Sequence, residues 1–194
     1  MANETYLNDI DKEKMSTLMQ ETDKNVEYFN SVCVETAKKY TKHLDAIMEK
    51  LYKKIAKSND ITTDELEQNI LELTNLIYFM GDKLESLGIY DDMSNAAAKE
   101  VYNKTYIESQ VISSDEKKKI TVAELTARSE QASQYETVVN AVYEHAYRMV
   151  KFKIDAANKM IDVLRKIISR RMQEEMLSSY AQPPLTDDII KGEN

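Results

Sequence analysis

Glycine and proline are almost missing from this chain: three glycines and two prolines in 194 residues, with no tryptophan and a single cysteine. Each absence excludes something. Hairpins draw on glycine, and helix interiors tolerate neither residue well, so this scarcity argues against a sheet-rich fold and for long helices. Both prolines, Pro183 and Pro184, stand in the closing stretch QPPLTDDIIKGEN, which is expected to be a flexible acidic tail over 181–194. Cys33, being alone, allows no intramolecular disulfide and no thiolate metal cluster, which fits a reducing, cytoplasmic setting. It falls on an apolar helical stripe, where a packed thiol is expected rather than a nucleophile. No apolar run approaches the roughly 20 residues that span a bilayer, so no membrane partner is expected. The opening MANETYLNDIDKEK is polar and acidic, unlike a signal peptide.

The chemical signatures are missing too. The two histidines, His43 and His145, lack the Glu-x-x-His partner of a di-iron bundle, because Tyr40 and Val142 occupy the positions three residues before them. No P-loop, dinucleotide fingerprint, H-E-x-x-H or G-x-S-x-G occurs. No catalytic residue, metal or cofactor is expected, and the protein is expected not to be an enzyme.

What is present is helical periodicity. Phe29, Cys33, Thr36, Tyr40, Leu44, Ile47, Leu51 and Ile55 recur at steps of three and four, and Met15, Leu18, Thr22 and Val26 extend the row backwards. This predicts a helix over about 12–57. Thr62 and Glu65 form a capping box for a second helix over about 63–87, seamed by Leu66, Ile70, Leu73, Ile77, Met80, Leu84 and Leu87. Gly88 reads as its stop, Ser94 as the cap of a weaker helix over about 95–112, and SSDEKKK at 113–119 as a solvated loop. Thr121 and Glu124 open a last helix over about 122–178, on the order of 85 Å long at 1.5 Å per residue. The expected fold class is all-α: a single helical domain over 1–180, built as a long hairpin or coiled-coil-like bundle, elongated and oligomeric. Val139, Tyr143, Ala146, Val150, Ala157, Ile161, Leu164 and Ile168 make the core row of the last helix. Met149, Phe152, Met160, Val163 and Ile167 widen that arc beyond what one neighbour covers, which marks them as an oligomer interface.

Charge is segregated. The chain has a net charge of −8, yet residues 38–57 carry +5 and residues 145–172 carry +6, leaving −19 on the remainder. Lys38, Lys39, Lys42, Lys53 and Lys54 on the first helix, with Tyr40 and Tyr52 among them, suit a single-stranded nucleic acid: cations for phosphates, rings for unpaired bases. Arg148, Lys159, Lys166 and Arg170 fall nearly in line on the last helix, opposite its apolar seam. Lys153 and Arg171 flank the seam and are expected to snorkel along it. The alternative is that both basic faces are simply solvated, or paired with acidic neighbours.

The stretches TVAELTARSEQASQYETVVNAVYEHAYRMV (121–150) and FKIDAANKMIDVLRKIISRRMQEE (152–175) resemble the C-terminal region of phage recombination mediators of the UvsY type. The resemblance implies a phage-encoded homo-oligomer in the host cytoplasm that binds single-stranded DNA. It also implies loading of a RecA-like recombinase in exchange for single-strand-binding protein. On that reading 152–175 is the assembly helix, and AKKYTKHLDAIMEKLYKK (37–54) stands in place of the family's basic, tyrosine-containing DNA-binding segment. Two other functions suit the same pattern: a structural or virion-assembly protein with no nucleic-acid role, and an acidic inhibitor seated in a host protein's nucleic-acid groove.

Overall fold

A computed structural model describes residues 12–57, 61–115 and 120–180. The tail expected at 181–194 and most of the loop expected at 113–119 lie outside them. The protein is all-α, and no strand occurs among the described residues. Helix α1 is Lys12–Ala56, α2 is Thr63–Asp115, α3 is Val122–Ala132 and α4 is Gln134–Tyr180.

Local chemistry explains where these helices start. At α2 the capping box is complete: the Glu65 amide donates to Thr62 Oγ1 at 3.2 Å, and the Thr62 amide donates to Glu65 Oε2 at 3.2 Å. At α3 the Glu124 amide donates to Thr121 Oγ1 at 3.3 Å, while the Glu124 carboxylate turns to Arg128 at 2.8 Å instead of closing the box.

The chain differs from its sequence reading at three places, the smallest being residues 113–115, expected to open a solvated loop but helical at the end of α2. Helix α2 does not stop at Gly88 but continues without a break to Asp115. A Cβ on Gly88 would meet the Tyr147 ring of α4 at 3.5 Å, an ordinary van der Waals contact, so this glycine neither ends the helix nor is required by its neighbour. Ser94 is accordingly no cap. It lies inside α2, where its hydroxyl donates to the Asp91 carbonyl at 2.9 Å. The expected helix over 122–178 is interrupted at Ser133. There Ser129, Ser133 and Thr137 each turn a hydroxyl back onto a carbonyl three or four residues earlier, at 2.9, 3.4 and 2.8 Å. Such back-bonding bends helices.

The chain forms two compact units. The first takes residues up to Lys42 together with Met80–Lys153. It buries Cys33, Ala37 and Thr41 of α1, Met80 and Leu87 of α2, Leu125 and Ser129 of α3, and Ala146 and Val150 of α4. Tyr90 of α2 stacks on Tyr143 of α4 with ring centroids 5.5 Å apart, and Phe29 meets His145 edge-on at 5.6 Å. Asn140 Nδ2 donates to the Asp91 carbonyl at 3.1 Å and carboxylate at 3.0 Å, and to Ser94 Oγ at 3.2 Å.

The second unit takes His43–Phe79 with the chain from Ile154 on. It buries Leu44, Leu51, Ile61, Leu66, Leu73, Ala157, Ile161 and Leu164. Leu66 and Leu73 of α2, like Leu44 and Leu51 of α1, stand seven residues apart, the heptad spacing that returns a side chain to one face of a packed helix. No helix among the described residues is long and apolar enough to cross a membrane.

Candidate nucleic-acid interface

The basic residues of α1 follow from its helical phase. At 100° per residue, Lys38, Lys39 and Lys42 occupy an arc of about 100° on the side away from Cys33, Ala37 and Thr41. All three lysines are exposed in the first unit. Tyr40 lies between them in sequence but not on their face. It is half-buried, and its phenol is pushed above the usual tyrosine range, first by burial and then by the phenols of Tyr90 and Tyr143. In the second unit Tyr52 presents its ring to solvent at 69% exposure, as base stacking requires. Lys53 pairs with Glu49 one turn earlier, and this bond and charge hold the Glu49 carboxyl below the usual range. Lys54 is half-buried and pairs with Glu65 at 3.3 Å.

On α4 the first unit contributes Arg148, paired with Glu144. The second contributes Lys159, Lys166 and Arg170, exposed and within an arc of about 40° opposite Ala157, Ile161 and Leu164. Arg170 pairs with Glu174 at 2.9 Å. Among the described residues, Lys38, Lys39, Lys42, Lys159 and Lys166 have no ion-pair partner, leaving five ammonium groups for an external anion. In neither unit does a hydrogen bond, ion pair or ring contact join the α1 set to the α4 set among the described residues. Lys39, Lys42 and Lys53 of α1 and Arg148, Lys159, Lys166 and Arg170 of α4 each lie on the side of their helix opposite its buried row, whereas Lys54 and Tyr52 lie beside that row.

The residues expected to join copies divide. Met149, Met160 and Ile167 are half-buried within the chain, whereas Phe152 is 72% and Val163 45% exposed. Lys153 and Arg171 do more than snorkel. Lys153 Nζ donates to Thr41 Oγ1 at 3.0 Å in the first unit, and Arg171 Nη1 donates to the Ile61 carbonyl at 2.6 Å in the second. Their phase beside the seam was visible in the sequence, but the partners about 110 residues away were not.

Cys33 is buried and free, and burial pushes its thiol up, away from the reactive thiolate. No group of three metal-ligating side chains occurs among the described residues. A groove of about 500 Å³ opens in the first unit, lined by Val26, Phe29, Cys33, His145 and Met149 with Thr22, Asn25 and Asn30. None of the candidate cations lines it. Comparison with protein-family models, with curated proteins and with solved structures finds no match to this chain.

Proposed function

We propose that the protein is a non-enzymatic, self-associating mediator that binds single-stranded DNA through the exposed cations of α1 and α4 and loads a RecA-like recombinase onto it. The observation that carries this reading is the set of five unpaired lysines, Lys38, Lys39, Lys42, Lys159 and Lys166, on solvent-facing sides of an otherwise acidic chain. Lys53, Lys54, Arg148 and Arg170 join them readily, because exposed ion pairs are weak and give way to phosphate. Tyr52 supplies the exposed ring. Several copies would repeat modest sites along one strand and so raise avidity. The acidic remainder is suited to basic surfaces on the recombinase or on single-strand-binding protein, both proposed partners.

Anisotropy of a labelled oligonucleotide tests the binding step. Retention should fall steeply with salt, with a slope of about −3.5 in log K against log salt if five phosphates are neutralised on a single strand. Replacing Lys53, Lys54, Lys166 and Arg170 together by alanine should weaken binding at least about tenfold while leaving particle mass unchanged. No binding at low salt would sink the reading. A second reading, a helical assembly protein without a nucleic-acid role, is favoured by one observation: Lys53, Lys54, Arg148 and Arg170 are already matched by Glu49, Glu65, Glu144 and Glu174 of the same chain. That protein would show a defined multiple of the chain mass and no oligonucleotide retention at any salt.

A further inference from the structure

Lys159, Lys166 and Arg170 form an exposed cationic row on α4, all on one helix and within the second unit. At 1.5 Å per residue, Arg170 lies about 15 Å, Lys166 about 21 Å and Lys159 about 32 Å back along the axis from Tyr180, where α4 ends. Helical phase puts Tyr180 about 40° and Leu177 about 20° from Lys166, on the same side of the axis. Their side chains are open to solvent, at 87% and 70% exposure, so the way from the end of α4 back to the row is clear. The sequence that follows is AQPPLTDDIIKGEN. Pro183 and Pro184 lack the amide hydrogen that a helix needs and oppose its continuation. Asp187, Asp188 and Glu193 stand against Lys191, a net charge of −2.

We propose that this acidic segment turns back along α4 and sets Asp187 and Asp188 on Lys166 and Arg170, where it competes with an external polyanion. Reach selects the pair. Seven or eight extended residues span at most about 23–29 Å, enough for Arg170 and Lys166 but, once the turn is made, too short for Lys159. The donors are ready. Lys166 has no ion-pair partner among the described residues. Arg170 engages Glu174 through Nε at 2.9 Å, which leaves its terminal nitrogens for a second carboxylate.

The acidic start of the chain cannot play the same part on α1. Glu4, Asp9 and Asp11 precede Lys12. Lys38 lies about 39 Å farther along that helix, whereas the eight residues back to Glu4 span at most about 29 Å. Only the closing segment combines the right sign of charge with sufficient reach.

Competition with a strand rests on the reading above, whereas the contact itself is read without nucleic acid. Zero-length carbodiimide coupling of the full chain at low salt, mapped by mass spectrometry, should join Asp187 or Asp188 to Lys166 and spare Lys159. In protein refolded from a mixture of isotopically light and heavy chains, each linked pair should be of one isotope. Coupling to Lys159 as strong as to Lys166, or linked pairs of mixed isotope, overturns the proposal. Asp187→Asn with Asp188→Asn should tighten oligonucleotide binding about threefold, the scale of two exposed ion pairs. That gain should vanish when Lys166 and Arg170 are already alanine. An equal gain in that background overturns the competition, because it would mark a general charge effect. Absence of all oligonucleotide binding sinks the reading above and the competition with it, while the coupling pattern still decides the contact.

Discussion

Asn140 places one amide group against three acceptors, the Asp91 carbonyl, the Asp91 carboxylate and Ser94 Oγ. An amide set into a packed seam specifies register, because sliding α2 past α4 would strand it without partners. Asn140→Leu should therefore lower stability by about 1 kcal/mol, read as a reduced urea midpoint with an unchanged slope. Leu73 is fully buried, and Leu73→Ala should cost about 2–5 kcal/mol on the same measurement, since an apolar core side chain leaves both lost burial and a void. Cys33, buried with its thiol pushed up, should react with a maleimide far more slowly in the native protein than in denaturant. That Cys33 belongs to a packed row was legible from its helical phase. The bonds of Asn140, Lys153 and Arg171 were not, because a polar side chain beside a seam carries no mark of its partner across the fold.

At the scale of elements, two of the three expected caps were legible, because a cap is local, while Ser94, read as a third, lies inside α2. Thr62, Glu65 and Thr121 sit within one turn of the amides that they engage. The Glu65 carboxyl is held below the usual range, first by the Thr62 amide and then by the bond to Lys54 and its charge. A carboxyl whose folded pKa is depressed contributes stability above its unfolded value, about 4.3, and loses it as pH falls through the folded value. Helicity at the start of α2 should thus weaken in acid below about pH 4, and Glu65→Gln should flatten that dependence in a circular-dichroism titration. Helix ends were read less well. Glycine is a common stop, yet α2 runs on through Gly88 to Asp115, because glycine permits a stop without imposing one. Gly81 is exposed within α2, and a Cβ there would meet nothing within 4 Å. Gly81→Ala should raise stability by about 1 kcal/mol, measured as a higher melting temperature.

At the scale of the whole molecule, segregated charge and unpartnered apolar rows are what remain after the helices have packed. Sequence alone determined the all-α class, since scarce glycine and proline with rows at steps of three and four leave little else that buries apolar side chains. It also determined that Lys159, Lys166 and Arg170 stand opposite the row on α4 while Lys153 and Arg171 flank it, because helical phase is set by position along the chain. Tertiary structure decided which part of each row is covered. Of the excess apolar residues of α4, Met149, Met160 and Ile167 are partly covered by the chain itself and Phe152 and Val163 stay exposed, while the row at Met15, Met19 and Val26 is left open. Periodicity is the same along a covered and an uncovered stretch of helix. Only the placement of neighbouring helices, which depends on contacts between residues far apart in the chain, distinguishes the two.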